Sequence, residues 1–245
     1  MTVPLHEPSR PGRFRRPHDD AESADQTERP KRRKWAALHP RLTPEPAHQP
    51  VAGSEPPVPE PAPDQPIRFL LVCTANRCRS PMAEALLRSR LRTVEAPTLV
   101  SSAGTLAEAG LPPMPDALAV TDGLAEHTSR RVTAGLVDEA DLVLCMTREH
   151  VRTIVMLAPD AFERTFTLKD LVKRAAASGP RRPGETIESW LAWVGRGRRI
   201  VDLVGYHDPD DVDDPIGLPA EAYRRCAADI DALLATIVAL VFPTA

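Results

Sequence analysis

Cys73 and Arg79 flank five residues, Thr74, Ala75, Asn76, Arg77 and Cys78, and Arg79 is followed at once by Ser80 and Pro81. That spacing suits nucleophilic chemistry on a phosphate. A loop of this length between a strand and a helix curls so that successive backbone N–H groups point at one centre, and the helix N-terminus beyond it adds to the positive field. A thiol beneath such a centre is biased toward the thiolate, the form that attacks. Arg79 offers a planar fork to two phosphate oxygens, where a lysine would offer only a point charge. Ser80 is placed to donate a hydrogen bond to the sulfur. The plainer reading is a cysteine packed as a small hydrophobe at the end of a buried strand. The order of strand, loop, serine and helix-starting proline weighs against it.

Displacing an ester oxygen also calls for a proton donor on a segment that can approach the leaving atom. Residues 208–217 read Asp-Pro-Asp-Asp-Val-Asp-Asp-Pro-Ile-Gly. Pro215 biases Asp214 toward extended or turn geometry, which suits a carboxylate carried on a loop. Taken alone, such an acidic run is usually solvated surface. His127, His150 and His207 are far apart and lack ligand spacing, so they are read as ordinary surface or core histidines, and no metal or other cofactor is called for.

The elements that must position these residues follow from pattern. Ile67 to Cys73 is a continuous apolar run of strand length, and a helix begins near Ser80 or Pro81 and runs through Leu91, with proline suited to its first turn. Further strands are expected at Thr98 to Ser102, Asp141 to Met146 and Arg164 to Thr167. Helices are expected over Asp116 to Glu126, from a cap at Thr147 to about Leu157, and from about Pro219 to Leu240. Gly179 to Gly184 reads as a turn, followed by a short amphipathic piece with Trp190 and Trp193. Alternating strands and helices predict an α/β fold, a doubly wound four-stranded parallel sheet with helices on both faces.

Composition divides the chain. More than half of the 27 prolines precede Ile67, in a stretch too poor in apolar residues to offset the entropy of ordering it. Residues 1–66 are therefore read as a disordered, proline-rich and charged N-terminal arm, and 67–245 as one folded domain. The basic cluster Arg29 to Lys34 reads as a solvated run. The net charge of -3 gives no pull toward nucleic acid or anionic membrane. The longest apolar stretch, Ile230 to Phe242, is broken by Asp231 and Thr236 and is too short to span a bilayer. The absence of an apolar leader and four cysteines without a disulfide pattern place the protein in the reducing cytoplasm. Its oligomeric state is not legible.

These residues resemble the low-molecular-weight protein tyrosine phosphatases. The resemblance runs through LLVCTANRCRSPMAEALLR, SSAGT (Ser101 to Thr105), ADLVLCMTREH (Ala140 to His150), LVGYHDP (Leu203 to Pro209) and VDDPIG (Val212 to Gly217). It implies that Cys73 is the nucleophile, that Arg79 binds phosphate and stabilises the transition state, and that Asp214 is general acid and then base. It further implies that Asn76, Ser80 and Ser102 brace the phosphate loop. Cys78 matches the family's second loop cysteine, which can form a reversible disulfide with Cys73; packing beneath the loop is the equal alternative. The implied substrate is a phosphorylated protein, with phosphotyrosine first, or a small phosphoester.

Three departures stand out. Ile216 and Gly217 follow the Asp-Pro pair where family members often carry aromatics, Ala75 replaces a common glycine, and the Trp190/Trp193 segment is longer than its counterpart. That tryptophan pair reads first as packing a helix and second as a substitute wall. Two other readings remain beside the phosphatase. An arsenate reductase of the same fold using an external thiol is one, because Cys145 has no cysteine soon after it to complete a relay. A noncatalytic phosphate-binding scaffold is the other.

Overall fold

The computed structural model describes residues 65–203 and 209–243. The expected arm lies outside the described residues as far as residue 64, as does His207 with most of the Leu203 to Pro209 motif.

Four strands, β1 (Ile67–Cys73), β2 (Thr98–Gly104), β3 (Leu142–Cys145) and β4 (Thr165–Thr167), form one sheet in the order β2-β1-β3-β4. Every neighbouring pair is parallel. The chain leaves β1 toward β2 on one side and returns to place β3 on the other. That reversal opens a crevice beyond the carboxyl end of β1, the place where open α/β sheets bind ligands.

Both faces of the sheet are covered, which is why its strands read as unbroken apolar runs. Side chains alternate across β1. Phe69, Leu71 and Cys73 face a core shared with α1 (Arg79–Leu91), α5 (Leu168–Ser178), α6 (Ile187–Val194) and α7 (Ala220–Val241). Leu70 and Val72 face a second core with Val137 of α3 (Ala134–Asp138) and Val151, Ile154 and Val155 of α4 (Arg148–Leu157). Cys145 belongs to this second core, across the sheet from Cys73.

The expected helix over Asp116 to Glu126 is a correction: the structure has only a single turn, α2 (Pro115–Leu118). Gly123 has φ +83, a backbone state outside the helix, and the intervening Thr121 and Asp122 favour turns. Two helices went unassigned on sequence. Both α3 and α5 start on a threonine whose hydroxyl accepts an N–H of the first turn, Thr133 from Leu136 and Thr167 from Asp170. β4 ends at the residue that caps α5, leaving no loop to mark the change of period.

Trp190 and Trp193 do not form a wall for a substrate. Trp190 is buried and donates its indole N–H to Gly179 O at 3.1 Å, while Trp193 carries the Arg196 guanidinium over its ring. Both pack at the C-terminal end of α5, eleven residues or about 15 Å along the axis from the end that faces the crevice.

Candidate active site

The C-x5-R stretch is a tight loop between β1 and α1, fastened to the β2–α2 connection chiefly by backbone hydrogen bonds. Thr105 N donates to Cys73 O, Leu106 N to Thr74 O and Met114 N to Arg77 O, at 2.9, 2.9 and 2.7 Å. Gly104, at the end of β2, lets the two segments close. A Cβ there would lie 2.6 Å from Thr74 O and 2.8 Å from Asn76 N, so any side chain would drive the loop off its strand.

Asn76 is the hinge of the curl. Its φ is +55, and among the described residues it is the one non-glycine with positive φ. Asparagine tolerates that conformation better than most side chains. The residue is fully buried and satisfied on all sides. Its amide N–H donates to Cys73 Sγ at 3.2 Å. Its Nδ2 donates to Ser80 Oγ (3.0 Å) and Ser102 Oγ (2.8 Å), and its Oδ1 accepts from Arg130 N (2.9 Å). Ala75 stays in ordinary backbone territory, so replacing glycine there creates no strain.

Cys73 Sγ thus receives one backbone N–H and stands 2.9 Å from Ser80 Oγ, which can donate to it. Among the described residues, the amides of Thr74, Ala75, Arg77 and Cys78 have no acceptor in the chain. Four unpaired N–H groups around one curl are what an anion requires. Arg77 is half-buried and tied by Nε to Pro112 O.

Arg79 is 5% exposed. Its guanidinium spans to the loop of residues 209–217, donating from NH1 to Val212 O (3.2 Å) and pairing through NH2 with Asp214 Oδ2 at 2.5 Å. The other Asp214 oxygen accepts Ile216 N. The carboxylate expected as acid and the guanidinium expected to hold phosphate therefore touch.

Sequence reasoning missed three further residues at this loop. Glu84, on α1 and nearly buried, accepts from the Ser102 hydroxyl and pairs with Arg88. His127 bonds Asn76 O through Nε2 at 2.9 Å and lies 3.8 Å from Glu84. His150 places Nε2 2.9 Å from Thr74 Oγ1 and Nδ1 2.9 Å from Thr147 Oγ1. Burial, helped by the positive charge of Arg79, pushes its pKa down from 6.5 to about 3. The two histidines set aside as ordinary are both bonded to the loop. Spacing carried no signal for them, because they reach it across 51 and 76 residues of chain.

The four cysteines are free thiols. Cys78 packs in the same core as Cys73 and Cys226, and burial raises its pKa far above the ordinary thiol range. Burial likewise pushes Cys226 up to about 12. Cys145, on the other face of the sheet, is no partner for a relay with Cys73. Among the described residues no group of His, Cys, Asp or Glu is arranged to hold a metal ion.

Comparison with known proteins is consistent with this geometry. The family model for low molecular weight phosphotyrosine protein phosphatase matches residues 68–179. A probable low molecular weight protein-tyrosine-phosphatase, EpsP, of Ralstonia solanacearum is 36% identical over 133 residues, 53% of this chain and 89% of the relative. The chain belongs to the low-molecular-weight protein tyrosine phosphatase family. A protein-arginine-phosphatase of Geobacillus stearothermophilus is 34% identical over 173 residues, 69% of this chain and 92% of the relative. Among solved structures, a low molecular weight protein tyrosine phosphatase from T. tengcongensis aligns with a TM-score of 0.53 and 26% identity, covering 70% of this chain and 97% of its own. As a member of this family the chain is a cysteine-dependent phosphatase that acts on phosphorylated substrates. The family model stops at residue 179, so α6 and its flanks lie beyond the matched segment.

Proposed function

We propose that this phosphatase hydrolyses phosphomonoesters on protein side chains, with phosphotyrosine the first candidate, through a phosphocysteine at Cys73. The observation that supports the reading best is the set of unpaired loop amides around Cys73 Sγ, with Arg79 and Asp214 in contact at their edge.

In the first displacement Cys73 Sγ attacks phosphorus, forming the P–S bond as the P–O bond breaks, and Asp214 gives its proton to the departing oxygen. Arg79 and the amides of Thr74 to Cys78 balance the charge on the equatorial oxygens, and Ser80 stabilises the sulfur as a leaving group. In the second, Asp214 takes a proton from water, the hydroxyl oxygen bonds phosphorus, and the P–S bond breaks to return the thiolate. Asn76 and Ser102 hold the loop in shape. We assign this domain to residues 67–245. Four free thiols suit a reducing cytoplasm, and among the described residues no helix is long and apolar enough to cross a membrane.

Protein phosphoarginine is a second substrate reading. A relative matching 69% of this chain is named a protein-arginine-phosphatase, and half-exposed Ile216 stands beside Pro215 where an aromatic would flank a phenyl ring. Against it, the guanidinium of Arg77 is held at the loop, where it opposes a second cation. Initial rates on matched phosphotyrosine and phosphoarginine peptides decide between them. Cys73→Ser is expected to abolish turnover of both, and Asp214→Asn to lower kcat roughly a hundredfold or more on the preferred one. A Cys73→Ser rate equal to wild type would end the catalytic reading and leave phosphate binding.

A further inference from the structure

Two loops carry the proposed reaction, and both are fastened to the same short junction, Met146 to His150, where β3 passes into α4. Met146 N donates to Val72 O at 2.9 Å, and Met146 O accepts Val212 N at 2.8 Å. Arg148 N donates to Asp211 Oδ1 at 2.7 Å. These contacts hold the Asp214 loop. The contact to the cradle is a side chain, His150, which bonds the hydroxyl of Thr74, the residue after Cys73.

His150 is built to hold one geometry. It is 3% exposed, and its second ring nitrogen is engaged by Thr147. Thr147 is in turn fixed as the α4 N-cap, its hydroxyl accepting His150 N–H. The ring cannot rotate without losing a hydroxyl at each end. Uncharged beside Arg79, it presents one N–H and one lone pair, and a hydroxyl can answer either.

We infer that His150 is a positioning residue: by bonding Thr74 it fixes the cradle to the first turn of α4, and because that turn also carries the Asp214 loop, it sets the spacing between Cys73 and Asp214. The inference rests on the proposed roles of those two residues. An in-line displacement needs sulfur and acid on opposite sides of phosphorus, and a small error in their separation slows the chemical step while phosphate binding, through the loop amides and Arg79, is spared.

The test uses the full chain and two substrates, phenyl phosphate, whose leaving group needs a proton, and p-nitrophenyl phosphate, whose leaving group needs one less. Thr74→Val removes the hydroxyl and keeps the shape. His150→Ala removes the ring, and His150→Gln returns an N–H near the position of Nε2. We expect Thr74→Val and His150→Ala each to lower kcat on phenyl phosphate roughly ten- to a hundredfold. The loss should be smaller on p-nitrophenyl phosphate, with inhibition by inorganic phosphate changed less than about twofold. The double variant should be no slower than the slower single variant, and His150→Gln should recover most of the rate. Should His150→Ala fail to fold, Thr74→Val carries the test, since Thr74 is only half-buried. Unchanged kcat in Thr74→Val, additive losses in the double variant, or equal losses on both substrates would overturn the inference while leaving Cys73 as nucleophile. A wild-type rate in Cys73→Ser would overturn both.

Discussion

The two loops that meet at Arg79 are held by opposite means. The cradle, residues 73–79, is fixed by buried side-chain hydrogen bonds and a close backbone approach. Asn76 and Ser80 are fully buried, every polar atom of the Asn76 side chain is bonded, and Gly104 presses against the loop backbone. The 209–217 loop is fixed from outside, by Val212 N on Met146, by Lys169 Nζ on Asp211 O, and by an ion pair whose Asp214 side chain is 44% exposed. One loop is preorganised and the other latched. Oxyanion stabilisation requires donors that do not reorganise during the reaction, whereas an acid that must admit a substrate and later a water gains from a contact that can be exchanged.

Arg79 belongs to both loops, so substituting it breaks the comparison most. Arg79→Lys keeps the charge but loses the fork that reaches Val212 O and Asp214 together. It should lower kcat roughly 10²- to 10³-fold and move the thermal midpoint little, because the partner carboxylate is exposed. A kcat within about threefold of wild type would show that the guanidinium serves only as a latch.

Acid stability separates the loops next. His150, on the cradle side, has its pKa lowered from 6.5 to about 3, chiefly by burial. Because the folded value lies below the unfolded one, the contribution is complete above pH 6.5 and is lost as pH falls through that window toward 3. Between pH 7 and pH 4 it amounts to about 3 kcal/mol, to be read from urea unfolding at a series of pH values. His150→Gln should remove that share of the slope. An unchanged slope in the variant would mean that His150 is charged, or solvated, in the folded protein.

Much of this architecture was legible in order along the chain, and the exceptions have physical causes. Ile67 to Cys73 is a strand because both faces are buried, and an apolar run of that length announces it. The last helix shows its period over 22 residues. The cradle was legible because its chemistry is local, with Cys73, Asn76, Arg79 and Ser80 within one turn of chain. Its bracing was legible only in part: Asn76, Ser80 and Ser102 came with the family resemblance, whereas Glu84, His127 and His150 carried no signal. Glu84, Ser102 and His127 meet because β2 pairs with β1 in the register Leu71↔Ser102, and that register is a property of the sheet. Gly104 was visible as a glycine, but its reason is a close approach to Thr74 O that only the assembled strands create. The short α2 and α3 carried too few turns to show a period.

The smallest effect is the sharpest test of a latch. Lys169, at the first turn of α5, donates Nζ to Asp211 O at 2.6 Å, a bond whose donor is half-exposed and can turn to water. Lys169→Ala should cost less than about 1 kcal/mol of stability. Its kinetic effect should be a few-fold at most, falling on substrates with poor leaving groups, because the carboxylate of Asp214 is then held less often over the site. The counterpart in the cradle is Asn76→Ala, which takes one buried donor from each of the Ser80 and Ser102 hydroxyls and the acceptor from Arg130 N–H, and puts alanine at positive φ. It should cost roughly 2 to 4 kcal/mol. If the two variants prove equally destabilising, the 209–217 loop is built into the fold as firmly as the cradle, and the exchange of Asp214 between Arg79 and substrate has to involve motion of the side chain alone.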